Sequence, residues 1–73
     1  MDKIKYYRDG NLLVLLDPEE VELAKLYIQD EKQEYNFNRR IGATRKLIAD
    51  GVAWQHAWDL VYCAWEQLKE SGK

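Results

Sequence analysis

The sequence predicts an α+β fold, in which an N-terminal β-hairpin is followed by three α-helices in one small domain of residues 1–73. Three observations predict it. Two short extended runs flank a glycine-containing turn, an Asp-Pro-Glu-Glu motif typical of a helix start follows, and apolar residues then recur at helical spacing. Hydrophobic residues make up 47 % of the chain, which is enough for one dense core. A chain of 73 residues is too short for two ordinary domains.

The hairpin is predicted over residues 3–16. The runs Lys3–Arg8 and Leu12–Leu16 are joined at 9–11, where Gly10 supplies the positive φ that a tight turn requires. The second run is apolar on both faces, whereas a hairpin packed on helices buries only one. Two alternatives follow: helix one covers the second row, or that row is left for a partner. An unpaired strand edge would also allow another chain to add a strand.

The first helix is predicted over about 18–33. Asp17 is a typical N-cap residue, Pro18 suits the first helical position, and the glutamates that follow favour the positive end of the helix dipole. The later acidic residues Asp30, Glu31 and Glu34 are interpreted as solvated surface.

The second helix is predicted over about 37–50, with Gly51 as its left-handed cap. Gly42 lies inside this helix, where a glycine costs about 1 kcal/mol relative to alanine. We therefore expect Gly42 to mark a close approach to a bulky neighbour such as a tryptophan.

The third helix is predicted over about 53–70, and residues 71–73 are predicted to be a frayed tail. Its apolar residues alternate by four and three, which predicts a core spine of Trp54, Trp58, Val61, Trp65 and Leu68. The opposite strip is predicted to be solvated and collects the polar residues Gln55, His56, Asp59, Cys63, Glu66, Gln67 and Glu70.

The charge and cysteine content limit the class of protein. The formal net charge of -2 argues against a general nucleic-acid binder. Cys63 is the single cysteine and cannot form an internal disulfide, and no signal peptide or membrane span is recognisable. These features predict a cytoplasmic protein that does not act at a membrane.

The residues with reactive side chains do not predict an enzyme. His56, Asp59 and Cys63 share one strip of helix three, but a closed zinc site needs four ligands and the chain has one histidine and one cysteine. That strip is convex and has no recognisable group of hydrogen-bond donors that could stabilise an oxyanion. The spacing of the glycines in the sequence does not match a phosphate-binding loop. The sequence therefore predicts no catalytic residues, no metal, no cofactor and no small-molecule substrate.

Helices two and three resemble a helix-turn-helix in outline, and the basic side chains of Arg39, Arg40, Arg45 and Lys46 could contact phosphates. The acidic residues of helix three would repel DNA, so direct nucleic-acid binding is disfavoured. A small DNA-binding repressor or accessory protein remains the alternative, as does an inhibitor of another host enzyme.

Binding to another macromolecule is the remaining class of function. Tyrosine and arginine are enriched at binding hot spots, and the hairpin offers a surplus apolar row. The predicted partner-binding residues are Tyr6, Tyr7, Arg8, Leu13, Leu15, Arg39 and Arg40.

The residues that carry a resemblance to a known family extend from the segment Met1-Asp2-Lys3-Ile4-Lys5-Tyr6-Tyr7 to the segment Trp54-Gln55-His56-Ala57-Trp58-Asp59. The whole chain resembles small early proteins of lytic Xanthomonas phages that bind the host RNA polymerase. This resemblance rests on length and overall character and not on a short diagnostic motif. It implies a non-enzymatic factor that contacts the N-terminal part of the polymerase β′ subunit near the RNA exit channel. Such a factor inhibits σ-dependent initiation and suppresses intrinsic termination.

Overall fold

The computed structural model of the chain describes residues 2–71, with only the backbone of Ser71. Two strands and three helices follow one another: β1 (Ile4–Arg8), β2 (Leu12–Leu16), α1 (Pro18–Asp30), α2 (Asn36–Ala49) and α3 (Trp54–Ser71). The predicted hairpin and three helices are confirmed. Helix α3 extends to Ser71, which the sequence had placed in the tail, and the remaining tail residues 72–73 lie outside the described part of the chain.

The hairpin turn forms because two successive residues adopt positive φ. Asp9 has φ 55° and Gly10 has φ 83°, and the Asn11 amide donates to the Arg8 carbonyl at 3.2 Å. Positive φ at both central residues matches the right-handed twist of the strands. The strands pair antiparallel, with Ile4 opposite Leu16 and Arg8 opposite Leu12.

Helix α1 begins where predicted but is shorter. Asp17 occupies the N-cap, yet its side chain makes no capping hydrogen bond. Its carboxylate accepts a hydrogen bond from Lys3, which lowers the pKa of Asp17. The helix ends at Asp30, and not at Gln33, because Glu31 is extended and its carboxylate lies 3.0 Å from the Lys46 ammonium.

Helix α2 has a close contact at its glycine. A methyl group at position 42 would overlap the carboxylate of Glu31. The close approach is therefore confirmed, but the neighbour is a carboxylate and not a tryptophan. Glu31 is not solvated as expected, since its side chain is 12 % exposed. Gly51 has φ 102° after the helix, as predicted for a left-handed cap.

The core lies between the three helices and the inner face of the hairpin. Its buried hydrophobic residues are Leu16, Val21, Ala24, Ile28, Ala43, Leu47, Ala57, Leu60, Val61, Cys63 and Ala64. The predicted core spine is confirmed for Val61, which is buried, and for Trp65 and Leu68, which pack against the core, but it is wrong for Trp54 and Trp58. Trp54 is 54 % exposed, and Trp58 and Trp65 are half-buried. Helix α3 instead buries small and aliphatic side chains, which let the helices of so small a domain approach closely.

None of the described helices combines the length and the apolar composition that crossing a bilayer requires.

Candidate interaction surfaces

One face of the hairpin carries large apolar side chains away from the core. The strand register places Lys5 opposite Leu15 and Tyr7 opposite Leu13, and all four point to the same face. Tyr7 is 54 %, Leu13 47 % and Leu15 54 % exposed. We call these four residues the outer hairpin row. Helix α1 does not cover this row, so the alternative in which both rows belong to the core is wrong.

The inner face of the hairpin packs against the core. Ile4, Tyr6 and Val14 contact the buried cluster that includes Leu16. Burial, with a smaller contribution from the Glu66 carboxylate, raises the pKa of Tyr6 to about 12. Tyr6 and Arg8 therefore lie on the opposite face from Tyr7, Leu13 and Leu15, the other binding residues predicted in this strand pair.

Arg8 forms an ion pair that joins the hairpin to α3. Its Nε lies 3.0 Å and 3.2 Å from the two carboxylate oxygens of Asp59, and its Nη2 lies 2.6 Å from Oδ2. This hydrogen bonding raises the pKa of Arg8. Asp59 is 1 % exposed, so the prediction that it lies on a solvated strip is wrong. The buried carboxylate is tolerated because a two-point guanidinium contact compensates its charge.

The other two reactive side chains of the predicted polar strip, His56 and Cys63, have separate partners. Nε2 of His56 lies 3.0 Å from a carboxylate oxygen of Glu20 on α1. Cys63 is buried, at 5 % exposure, and accepts a hydrogen bond from Gln67 at 3.8 Å, so its placement on a solvated strip is also wrong. Burial raises the pKa of the Cys63 thiol, which disfavours the reactive thiolate. Within residues 2–71 no three metal-ligating side chains converge.

Arg39 and Arg40 lie on the first turns of α2 and are half-buried. Nη2 of Arg39 donates to the Ile28 carbonyl at 3.1 Å. The guanidinium carbon of Arg40 lies 4.9 Å from the ring centre of Trp65 and 5.2 Å from that of Tyr62. The two arginines therefore do not form a freely solvated basic patch, because aromatic side chains of α3 cover part of each.

Aromatic side chains continue from Arg40 along α3. The rings of Trp54 and Trp58 stack at 5.5 Å with an interplanar angle of 19°. Trp58 makes edge contacts with Tyr62 at 4.8 Å and with Phe37 of α2 at 6.4 Å. We define the arginine–aromatic cluster by its six members, Phe37, Arg40, Trp54, Trp58, Tyr62 and Trp65.

The sequence carried a signal for this cluster. Trp54, Trp58 and Tyr62 follow one another at steps of four, which places three bulky rings along one helix face. The small residues Ala57, Val61 and Ala64 form a neighbouring stripe that fits a tight helix interface better.

A cleft connects the arginine–aromatic cluster to the inner face of the hairpin. It is lined by Tyr6, Arg8, Asp9, Trp58, Asp59 and Tyr62. The structure thus brings two of the predicted binding residues, Tyr6 and Arg8, next to the cluster that holds Arg40. The outer hairpin row lies on the other face of the sheet. The described part of the chain therefore presents two separate candidate interaction surfaces.

Comparison of the chain with models of protein families, with curated protein sequences and with solved structures gave no significant match.

Proposed function

We propose that this chain is a non-enzymatic transcription regulator that binds bacterial RNA polymerase through the outer hairpin row. The resemblance to phage early proteins supports the choice of partner, the N-terminal part of β′ near the RNA exit channel. On this proposal the protein acts in the cytoplasm of the host bacterium. It disfavours the σ-bound holoenzyme and promotes readthrough of intrinsic terminators.

The exposed apolar row is the observation that carries this proposal. Tyr7, Leu13 and Leu15 are neighbours on two paired strands, so they form one continuous patch on a regular scaffold. Large apolar side chains grouped in this way are typical of protein interaction sites. Tyr7 is also a residue type enriched at hot spots, and Lys5 adds a cation at the end of the row.

The energy available from this row is sufficient for specific binding when it adds to surrounding contacts. Fully burying a leucine contributes about 1.5–3 kcal/mol. Since Leu13 and Leu15 are 47 % and 54 % exposed, a partner that covers them gains on the order of 1 kcal/mol from each. A typical interface of about 800 Å² per partner would cover roughly a sixth of the 5100 Å² accessible surface.

Regulation by such a protein requires only a difference in affinity between two states of the polymerase. A ligand shifts an equilibrium by its differential affinity, and a tenfold preference corresponds to about 1.4 kcal/mol. Tighter binding to the polymerase without σ than to the holoenzyme would inhibit initiation. Tighter binding to the elongating form than to the terminating form would favour readthrough.

The partner is tested by incubating the tagged protein in bacterial lysate and identifying the retained proteins by mass spectrometry. We expect the polymerase subunits, including β′. Recovery of no polymerase subunit would contradict the proposal, and recovery of a different enzyme would favour an inhibitor of that enzyme. A sequence-specific mobility shift with DNA would favour a repressor instead.

The surface is tested by a matched pair of double variants. Leu13→Ser with Leu15→Ser removes two leucines of the outer hairpin row, and Leu23→Ser with Leu26→Ser removes two exposed leucines of α1. We expect the first variant to bind polymerase about 30-fold more weakly and the second to bind within about twofold of the unmodified protein. Equal weakening by both variants would contradict the assignment. Circular dichroism checks that both variants remain folded.

A further inference from the structure

Arg40 and its neighbour Arg39 differ from the cations that form ion pairs within the fold, and of these two only Arg39 has a hydrogen-bond partner among the described residues, the Ile28 carbonyl. Lys3, Arg8, Lys25 and Lys46 each lie within ion-pair distance of a carboxylate. Among the described residues, no carboxylate lies within 4.0 Å of the Arg40 guanidinium, although this side chain is half-buried. Its Nε is buried without a hydrogen-bond partner. The fold therefore partly desolvates this cation and supplies no anion to it.

Aromatic rings supply the contacts that Arg40 does make. The guanidinium carbon lies 4.9 Å, 5.2 Å and 5.9 Å from the ring centres of Trp65, Tyr62 and Phe37. Rings on several sides restrict the rotamers of the side chain, so its terminal nitrogens are held in place before a ligand arrives. Cation–π contacts stabilise the charge without using the in-plane donors that recognise an anion.

Two rings of the cluster are largely accessible, Phe37 beside Arg40 and Trp54 at the end of the row of rings on α3. Phe37 is 55 % exposed, and Trp54 is 54 % exposed although Trp58 stacks on it. An incoming apolar or aromatic group could therefore pack on Trp54 and Phe37 while an anion reaches Arg40. Tryptophan, tyrosine and arginine are also the residue types most enriched at hot spots.

We infer that the arginine–aromatic cluster is a second docking surface, which binds a protein segment carrying a carboxylate beside an aromatic or apolar side chain. The carboxylate accepts two hydrogen bonds from the fork of the Arg40 guanidinium. Its apolar neighbour covers the exposed rings, which removes water from the ion pair and strengthens it.

The charges around the cluster favour a single carboxylate over a nucleic acid. A single-stranded nucleic acid requires a series of cations along its backbone as well as rings for its bases. Next to Arg40, Arg39 donates to a backbone carbonyl and Arg8 is paired with Asp59. The adjoining cleft also exposes Asp9. Of these three arginines, Arg40 is the one whose guanidinium has no hydrogen-bond partner among the described residues, which matches a single carboxylate, whereas a polyanion would meet the Asp9 carboxylate.

This inference does not rest on the polymerase as partner. The outer hairpin row lies on the opposite face of the sheet from the cleft beside the cluster, so each surface can be disrupted separately. Variants of Leu13 and Leu15 test the first surface, and variants of Arg40 test the second.

The test is a titration of the ¹⁵N-labelled protein with two capped tripeptides, acetyl-Glu-Phe-Glu-amide and acetyl-Gln-Phe-Gln-amide. The indole N–H signals of Trp54 and Trp58 report binding at the cluster. We expect the glutamate peptide to shift both signals and to bind at least about fivefold more tightly than the glutamine peptide. This comparison uses the unmodified chain and does not depend on a variant that folds.

Two arginine variants then locate the contact. Arg40→Gln is expected to weaken binding of the glutamate peptide at least about fivefold, whereas Arg45→Gln, the same charge change at an exposed position of the same helix, leaves it within about twofold. Arg40→Lys keeps the positive charge but lacks the paired donors of the guanidinium, so its affinity for the glutamate peptide should lie between those of the two glutamine variants.

Four results would overturn the inference. They are no indole shift with either peptide, equal affinity for the two peptides, equal weakening by the Arg40 and Arg45 variants, or tighter binding of an oligothymidylate of about eight nucleotides than of the glutamate peptide.

Discussion

Removal of the Arg8 guanidinium is predicted to destabilise the fold strongly. Arg8→Met keeps most of the side-chain length but leaves the Asp59 carboxylate, 1 % exposed, without its counter-ion. Among the described side chains, only the Gln55 amide, 3.3 Å from Oδ1, would still donate to it. A buried carboxylate left unpaired in this way costs about 3–5 kcal/mol of folding free energy.

This loss is large for a chain of 73 residues. At roughly 0.05–0.15 kcal/mol per residue, the total free energy of unfolding is about 4–11 kcal/mol. Asp59→Asn should be milder, about 1–3 kcal/mol, because it removes the buried charge and keeps a group of the same shape. Replacing both partners, by Arg8→Met with Asp59→Leu, should recover most of the stability lost in Arg8→Met.

Urea unfolding followed by circular dichroism and by tryptophan fluorescence measures these differences. Coincident transitions by the two probes justify a two-state free energy. Two results would show that an unpaired Asp59 carboxylate does not destabilise the fold as argued. One is a loss of unfolding free energy below about 1 kcal/mol in Arg8→Met, and the other is a larger loss in Asp59→Asn than in Arg8→Met. A double variant that is no more stable than Arg8→Met would lead to the same conclusion.

Two further predictions concern Tyr6 and Gly42. The pKa of Tyr6 is raised from 10.0 to about 12, so its neutral form contributes stability that is fully present below pH 10 and is lost as the pH rises through about 12. Tyr6→Phe should therefore flatten the fall of the melting temperature above pH 10, and an unchanged slope would contradict this. Gly42→Ala gains about 1 kcal/mol of helix propensity but displaces Glu31 from Lys46, so the gain should be smaller in the unmodified chain than in a Glu31→Ala background. If urea unfolding gives the same gain in the free energy of unfolding in both backgrounds, the Glu31–Lys46 ion pair is not coupled to Gly42, which would contradict the prediction.

The turns and helix starts could be predicted from the sequence because local backbone chemistry determines them. Gly10 and Gly51 adopt the positive φ that only glycine reaches without strain, and Pro18 occupies the first turn of α1. The end of α1 was misplaced because it depends on Glu31, whose partner Lys46 comes from another helix.

The buried face of α3 could not be predicted as reliably. Apolar residues occupy more than one side of this helix, so the periodicity alone does not show which side is core. Asp59 is a typical surface residue by type, and its burial depends on Arg8, which lies 51 positions earlier in the chain. A long-range partner of this kind leaves no local pattern in the sequence.

The outer hairpin row was partly predictable. β2 is apolar throughout and does not distinguish its two faces, but β1 alternates and places the charged Lys5 on the same face as Tyr7. The exposed face of β2 then follows from the register. The arginine–aromatic cluster was missed because the tryptophans were assigned to the core.

Photo-crosslinking to purified core RNA polymerase tests the central claim most directly. A photoreactive amino acid is introduced at Leu15 of the outer hairpin row, 54 % exposed, or at Leu26 of α1, 61 % exposed, as the matched control. The account predicts a crosslink from position 15 to the N-terminal part of β′ and none from position 26. A crosslink from position 26 alone, or no crosslink from position 15, would contradict it.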